Sequence, residues 1–265
     1  MKRASRLIGA ALGPLVDFVY PPRCCGCGSS LGTQTGLCLP CWQSLDAFPG
    51  DTPVTVLRVA AKADAARQIA LPIHAAVPYN SLARTLLLAF KHGGRISHAP
   101  LLARLMAANA PPPAERRIVV PVPLHRSRLW RRGYNQAVLL GRELQKLGQG
   151  RLIVDALCRV RATPMLGTRS RADRQALLAG AVTVNPRRCE ALSGADVLLV
   201  DDVMTSGATF TACAEALLGA GVASISGLCF ARAGTTPSRK AAASLPEGSG
   251  RPHTDARNLA IPGVP

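Results

Sequence analysis

The chain has 265 residues, of which 48% are hydrophobic and 18% charged, and its mean hydropathy is +0.17. This length suits one α/β domain with a small extra module, and the apolar content excludes a wholly disordered chain. Lys and Arg number 32 against 15 Asp and Glu, which gives a formal net charge of +17. Such a charge favours polyanionic partners, among them nucleic acids and phosphorylated metabolites, without choosing between them.

The basic excess is concentrated in the middle of the chain. Residues 116–174 contain 13 Arg and one Lys but only three acidic residues. Two interpretations of this stretch stay open: a solvated basic surface, and an anion-binding face next to the functional site of the protein.

The N-terminal residues 1–20 predict an amphipathic helix. They combine a basic start with a short apolar run, as a signal peptide does, but no small-residue cleavage site of the usual kind follows. No apolar run reaches the roughly 18 residues that a bilayer span needs. The sequence therefore predicts a cytoplasmic protein without a membrane span.

Four cysteines within residues 21–50 have the spacing of a metal site. Cys24 and Cys27 form one C-x2-C pair, and Cys38 and Cys41 form a second pair after ten intervening residues. Paired thiolates on tight turns place four sulfur ligands around Zn²⁺, so residues 21–50 are predicted to be a zinc-ribbon module. Three alternatives stay open: Cys25 in place of Cys24 as a ligand, disulfides in an oxidising compartment, and plain buried thiols.

Strands and helices alternate over residues 70–233, after a connection over 51–71 that is expected to be helical or loop-like. The predicted strands are 74–79, 118–122, 152–160, 197–200 and 222–230, and the predicted helices are 81–91, 100–110, 135–147 and 208–220. This alternation is typical of an α/β fold with a doubly wound, mainly parallel sheet. Residues 234–265 are rich in Pro, Gly, Ser and Ala without periodicity and predict a disordered tail.

A buried-type strand that ends in two acidic residues carries the chemistry. Residues 197–200 lead into Asp201 and Asp202, followed by a turn of Thr, Ser and Gly that opens a helix. Amides and hydroxyls at a helix N-terminus bind phosphate, and carboxylates at a strand end accept hydrogen bonds from sugar hydroxyls. The predicted phosphate-binding residues are Thr205, Ser206, Gly207 and Thr209.

This strand and turn resemble the signature of type I phosphoribosyltransferases that binds 5-phosphoribosyl 1-diphosphate (PRPP). The segments AFK at 89–91, PVPLH at 121–125 and RRGYNQ at 131–136, with the double C-x2-C pattern, resemble the ComF family of competence-associated proteins. The resemblance implies a type I phosphoribosyltransferase fold, a structural Zn²⁺, and PRPP bound with Mg²⁺. In naturally transformable bacteria it further implies a role in DNA uptake, with single-stranded DNA and the competence DNA-translocation machinery as partners.

The resemblance also implies a reaction, the displacement of pyrophosphate from C1 of PRPP by an acceptor that the sequence does not identify. The residues assigned by position to the diphosphate are Lys91, His125, Arg131, Arg132 and Arg174, with Arg169 and Arg171 on the same presumed loop as Arg174. The chain departs from the family pattern at Leu166 and Leu177, where Gln and Asn are usual, so turnover stays open.

The alternative function is that of a non-catalytic single-stranded DNA-binding protein on a phosphoribosyltransferase scaffold. The net charge supports it, and the candidates for base stacking are Trp42, Trp130 and Tyr134. Aromatic residues make up only 4% of the chain, which favours binding through backbone electrostatics over sequence reading.

Overall fold

The computed structural model describes residues 21–33, 35–61, 64–92, 95–161 and 180–234. Several expectations from the sequence fall outside the described residues and stay predictions. These are the helix over 1–20, the tail beyond Gly234, the departures at Leu166 and Leu177, and the roles of Arg169, Arg171 and Arg174.

Helices pack on both faces of a central sheet. They are α1 (Leu39–Ser44), α2 (Ser81–His92), α3 (Ala99–Ala107), α4 (Arg126–Arg132), α5 (Gln136–Lys146), α6 (Cys189–Leu192) and α7 (Ala208–Leu218), with 3-10 turns at Ile96–His98 and Pro186–Arg188. The four predicted helices are confirmed with small shifts at their ends. Among the described residues, no helix has the length and apolar character that crossing a bilayer requires.

The strands form a mainly parallel sheet. They are β1 (Thr55–Ala61), β2 (Asp64–Pro78), β3 (Arg117–Pro121), β4 (Arg151–Leu152), β5 (Leu157–Arg159), β6 (Val182–Val184), β7 (Asp196–Met204) and β8 (Ser224–Arg232). Six of them lie in the order β1-β2-β8-β7-β3-β4, while β5 and β6 form a separate two-stranded sheet. Only the β1–β2 pair of the large sheet is antiparallel. The predicted α/β fold with a mainly parallel, doubly wound sheet is confirmed.

Two segments differ from their predictions. Residues 51–71 contain β1 and the first half of β2 instead of a helical or loop connection. Burial of Val59 and Leu71 in the core stabilises these strands, a tertiary effect that the alanine-rich sequence does not signal. Residues 152–160 are not one strand, because β4 pairs with β3 whereas β5 pairs with β6. Between the two strands the chain turns at Asp155, whose carboxylate binds Arg188 at 2.9 Å.

Strand β7 lies between two apolar cores. Val197 and Leu199 contribute to the core beneath α7, and Leu198 and Val200 contribute to the core beneath α2, α3 and α5. Because both faces of the sheet are covered, the strand is apolar without interruption over these residues. Its first polar residues after this run therefore emerge at the carboxyl end of the sheet, where open α/β sheets bind ligands.

The zinc-ribbon segment is joined to the α/β unit through Asn80. Its Nδ2 donates to the carbonyl oxygens of Ser44 and Leu45, at the end of α1, over 2.9 and 3.0 Å. Its Oδ1 accepts from the backbone N–H of Ala83, in the first turn of α2, over 2.8 Å. One side-chain amide thus links the ribbon to the helix that carries Lys91.

Candidate active site and metal centre

Four thiols converge in the N-terminal segment. The sulfur atoms of Cys24, Cys27, Cys38 and Cys41 all lie within 4.8 Å of one another, and the Sγ atoms of Cys27 and Cys38 are 3.5 Å apart. A tetrahedral zinc site with Zn–S bonds of about 2.3 Å needs sulfur atoms roughly 3.8 Å apart. Cys25 lies outside the group and packs against the core instead. The donor set therefore fits Zn²⁺, with Cys24 and not Cys25 in the group.

The turns around the thiols need glycine. Gly28 has φ of +80°, a conformation that side chains rarely adopt, and its N–H donates to the Cys24 carbonyl over 2.9 Å. At Gly26 a Cβ atom would lie 2.9 Å from Cys41 Sγ and 2.7 Å from Leu82 Cδ1. The first turn of the ribbon is therefore packed tightly between the thiol group and helix α2.

Removing one of the four thiols is expected to release the metal and destabilise the ribbon. We expect Cys27→Ser to lose most of its bound zinc and to lower Tm by roughly 10 °C, because zinc binding contributes directly to the folding free energy of such modules. Metal content by elemental mass spectrometry and a thermal melt measure both effects. The matched control, Cys25→Ser, is expected to keep its zinc, and equal zinc loss in the two variants would contradict the assignment.

Strand β7 delivers two carboxylates to the carboxyl end of the sheet. Since successive side chains of a strand point to opposite faces, Asp201 and Asp202 diverge. Asp202 is only 7% exposed, and its Oδ2 lies 2.6 Å from Nζ of Lys91 on α2. The backbone N–H of Asp202 donates to Oδ1 of Asp201 over 2.8 Å. The carboxylate of Asp202 is thus held by Lys91, while that of Asp201 accepts from the backbone of the next residue.

The Asp201 carboxyl has an unusual protonation equilibrium. Burial and then the negative charge of Asp202 raise the pKa of Asp201 to about 8, against the opposing charge of Lys91. A strongly shifted carboxyl in a cleft is typical of a functional site. Hydrogen-bond donors from a ligand would favour its ionised form.

The turn after β7 packs closely against β1 and encloses a small cavity. Gly207 precedes α7 with φ of +80°, and a Cβ atom there would lie 2.6 Å from Leu57 Cδ1 on β1. Residues 203–210 and Asp201 enclose a cavity of about 30 Å³. The first amides of α7 have no partner within the helix, so they and the hydroxyls of Thr205 and Ser206 supply donors around this cavity.

A second cavity of about 180 Å³ lies beside the first, and Asp201 and Thr209 line both. Its basic wall comes from α2, α4 and β5, through Lys91, Arg128, Arg132 and Arg159. Burial, and then the charges of neighbouring guanidinium groups, lower the pKa of Arg128 and Arg159. Cations crowded in this way are stabilised by an anionic ligand, so the cavity suits a polyanion next to the acidic pair.

The RRGYNQ segment holds this basic wall in place. The hydroxyl of Tyr134 donates to the carbonyl oxygen of Phe90, the residue before Lys91. Nη1 of Arg132 donates to Oε1 of Gln136 over 3.3 Å. The segment therefore positions one cation through α2 and another through the start of α5.

The structure brings together some of the predicted diphosphate residues and separates others. The predicted residues that line the second cavity are Lys91, Arg132, Asp201, Asp202 and Thr209. His125 and Arg131 do not line it. His125 is the N-cap of α4, where its Nδ1 accepts from the Ser127 N–H over 3.3 Å, and Arg131 is exposed on the outer side of that helix.

Sequence reasoning missed two residues of the basic wall, Arg128 and Arg159. Arg128 stands four residues before Arg132, so helical spacing places both on one face of α4 and could have identified it. Arg159 is contributed by β5, which belongs to the second sheet, and no local pattern indicates that this strand reaches the cavity.

Comparison with known protein families agrees with this arrangement of modules. Residues 15–52 match the double zinc ribbon domain, and residues 143–247 match the phosphoribosyl transferase domain. With the four-thiol group, the first match supports a structural zinc ion.

Similar curated proteins carry names connected with competence and with DNA utilization. Competence protein F of Haemophilus influenzae is 36% identical over 115 residues, which are 43% of this chain and 50% of that protein. The DNA utilization protein YhgH of Escherichia coli O6:H1 is 33% identical over 114 residues, 43% of this chain and 48% of that protein. In these two relatives the match spans about half of their length. YhgH of Escherichia coli O157:H7 is 28% identical over 226 residues, 79% of this chain and 89% of that protein.

The order of the two modules, the acidic pair at the end of β7, and the relatives named Competence protein F and YhgH lead to one assignment. A zinc ribbon followed by a phosphoribosyltransferase domain is the arrangement expected from the sequence. These similarities support the assignment of this chain to the ComF family.

Proposed function

We propose that this protein binds PRPP with Mg²⁺ at the end of β7 and transfers the phosphoribosyl group to an acceptor. One observation carries the proposal: two carboxylates, a phosphate-binding turn and a wall of four cations line two adjoining cavities. A ribose phosphate with a diphosphate at C1 presents hydroxyls, one phosphate and a polyanion in a matching order.

The carboxylates and the turn divide the sugar phosphate between them. Asp201 and Asp202 accept hydrogen bonds from the 2′ and 3′ hydroxyls, which are vicinal donors. The 5-phosphate occupies the turn, where Thr205, Ser206 and Thr209 and the first amides of α7 supply donors. The carboxylates lie at the end of β7, and the phosphate donors lie at the start of α7. The fold therefore fixes the distance between the two groups.

The cations act on the departing diphosphate. Lys91, Arg128, Arg132 and Arg159 line the cavity beside the acidic pair, and Mg²⁺ would accompany the diphosphate as part of the bound substrate. The acceptor forms its bond to C1 as the bond from C1 to the diphosphate oxygen breaks, and pyrophosphate leaves with the electron pair. Carboxylates near the ribose stabilise the positive charge that develops on the sugar.

Calorimetric titration of PRPP and Mg²⁺ into the zinc-loaded protein tests the site. We expect saturable binding with a Kd of about 1–100 µM, the range common for enzyme substrates. A screen of nucleobases and amines for pyrophosphate release then identifies the acceptor. Absence of PRPP binding by folded, zinc-loaded protein would refute the site, and binding without release by any acceptor would restrict its function to ligand binding.

We place this activity in DNA uptake, alongside the DNA-translocation machinery of competence. Relatives named Competence protein F and DNA utilization protein YhgH support this role. Zinc thiolates require reduced cysteines, which the cytoplasm maintains, so we propose the cytoplasm as the place of action.

A second candidate function is the binding of single-stranded DNA, and helix α4 favours it. Four of its seven residues are arginines, and Trp130 on the same helix is 89% exposed. An exposed ring among phosphate-binding cations is the arrangement on which bases stack. This function is compatible with transferase activity, since the helix contributes Arg128 and Arg132 to the cavity and presents Trp130 to solvent.

Replacing this ring is expected to weaken DNA binding. Base stacking contributes about 1–3 kcal/mol, so Trp130→Ala should reduce the affinity for a short oligothymidylate by about tenfold. Fluorescence anisotropy at several salt concentrations measures both this loss and the electrostatic contribution. Trp42→Ala, on the ribbon, serves as the comparison. Binding that is absent even at low salt, or equal losses in the two variants, would contradict a role for α4.

A further inference from the structure

A further groove, which is polar, lies between the zinc ribbon and helix α2, apart from the two cavities at β7. It has a volume of about 710 Å³, within the range of small-molecule sites. One wall is the ribbon turn from Arg23 to Gly28, and the other includes Thr85 of α2 and the segment from Arg95 to His98. None of its lining residues lines the two cavities at β7, so an occupant would not compete directly for that site.

Among the described residues, the groove is lined by cations and by no carboxylate. Arg23 and Arg95 stand on opposite walls, and Thr35, Thr85 and Ser97 add three hydroxyls. Arg23 also donates from Nη1 to the Gly28 carbonyl over 3.2 Å, which holds its guanidinium beside the ribbon. Guanidinium groups from two separate elements, with hydroxyls between them, form a pattern that binds phosphate oxygens.

A buried histidine indicates that a ligand in the groove also carries a hydrogen-bond donor besides its phosphate. His98 is 3% exposed, lines the groove, and its Nδ1 has no hydrogen-bond partner among the described residues. The ring is hydrogen-bonded to the backbone of Leu86, which leaves Nδ1 as the acceptor of the neutral imidazole. A buried acceptor without a donor is costly, so a ligand hydroxyl or amino group would satisfy it.

From these features we infer that the groove between the ribbon and α2 binds a nucleotide, either free or as part of a strand. Its phosphate lies between Arg23 and Arg95, and a sugar hydroxyl or base amino group reaches His98. The site is distinct from the proposed PRPP site, and the two are tested separately.

Arg23 has a possible second role besides ligand binding, and the test must distinguish the two roles. Four thiolates on Zn²⁺ carry a net charge of −2, and Arg23 precedes Cys24, so its guanidinium could serve only to balance the metal centre. Arg95 lies on the opposite wall, before the 3-10 turn that leads into α3. Arg95 therefore decides the question, and zinc content is measured for every variant.

The experiment is calorimetric titration of adenosine 5′-monophosphate and of inorganic phosphate into the full chain carrying Asp201→Asn and Asp202→Asn, which weakens the site at β7. We expect adenosine 5′-monophosphate to bind more tightly than phosphate alone, because phosphate lacks the donor groups for His98. Arg95→Gln and Arg23→Gln should each weaken binding by about tenfold with zinc retained. The matched control is Arg84→Gln, an exposed arginine of α2 that does not line the groove.

An oligothymidylate titration, read by anisotropy with the same variants, distinguishes the two sources of the phosphate. Binding of the strand but not of the mononucleotide, with loss on Arg95→Gln, assigns the groove to a phosphate within DNA. Unchanged affinity of Arg95→Gln for every probe, an equal loss in Arg84→Gln, or no binding of any probe overturns the inference. In the otherwise unaltered chain, PRPP affinity should be the same with and without Arg95→Gln, so failure here leaves the PRPP site untouched.

Discussion

Replacing both carboxylates at the end of β7, Asp201→Asn with Asp202→Asn, is expected to weaken PRPP binding by about 100-fold or more. In the proposed complex each carboxylate would accept a hydrogen bond from a ribose hydroxyl, and a hydrogen bond to a charged partner contributes about 1.5–3 kcal/mol. Losing one such bond at each hydroxyl corresponds to at least two powers of ten in affinity. Calorimetry with Mg²⁺ present measures the change directly.

The double variant also removes the negative charge of Asp202 and, where Asp201 is ionised, a second negative charge, which by itself would strengthen the binding of a polyanion. A matched control removes two exposed carboxylates elsewhere, by Asp155→Asn with Glu190→Gln. The control should bind PRPP as the parent does. Because Lys91 pairs with Asp202 over 2.6 Å, circular dichroism must show that the double variant remains folded. Parent-like affinity in a folded double variant would rule out sugar recognition by these residues.

The affinity for PRPP is expected to rise steeply between pH 6 and pH 8. Burial and the charge of Asp202 raise the pKa of Asp201 to about 8, so most of this carboxyl is protonated at pH 6. A protonated carboxyl keeps only part of the hydrogen-bond acceptor capacity of a carboxylate, so it binds a ribose hydroxyl less well. If only the ionised form binds, the affinity falls by about 50-fold from pH 8 to pH 6.

Several groups set this equilibrium and must be considered together. Besides Asp202, Lys91 of α2 and Arg159 of β5 interact with Asp201 and favour its ionised form, whereas Cys213 of α7 lies against it without charge. The phosphates of PRPP titrate in the same range, so the control is the profile of the Asp201→Asn variant. A steep dependence that persists unchanged in Asp201→Asn would show that the ligand, and not Asp201, is responsible.

The same shift has an opposite consequence for the ligand-free protein. The unfolded chain releases this proton near pH 4, whereas the folded protein retains it until about pH 8. Since the folded state binds more protons in that window, stability falls as the pH rises through it. Ligand-free protein should therefore lose stability over the pH range in which PRPP binding improves.

The residues that the sequence predicts to bind phosphate lie together in the structure because they are consecutive in the chain. Asp201, Asp202 and the residues from Thr205 to Thr209 form one strand end and one helix start, so local geometry alone brings them together. The convergence of the four thiols was predictable for a similar reason, since Cys24 and Cys27 flank one turn and Cys38 and Cys41 lie at the start of α1. Arg128 and Arg159 lie on separate elements, and only tertiary packing brings them to the cavity.

The fold was predicted where apolar runs have a clear period and missed where packing decides. The run over 197–200 is apolar at every position, as a strand covered on both faces must be. Strand β1 has no such signal, yet Leu57 of this strand packs against Gly207 in the turn beside the acidic pair. Strand β1, which the sequence did not predict, thus covers the turn at Gly207, which the sequence predicted most clearly.

The bridging amide of Asn80 has a consequence for how the protein melts. Because it hydrogen-bonds the end of α1 and caps α2, the ribbon and the α/β unit share structure and should unfold in a single cooperative transition. Metal loss would then loosen α2, and with it Lys91, at a distance from the thiols. Coupling of this kind is reciprocal, so an occupied sugar-phosphate site would in turn strengthen the binding of zinc.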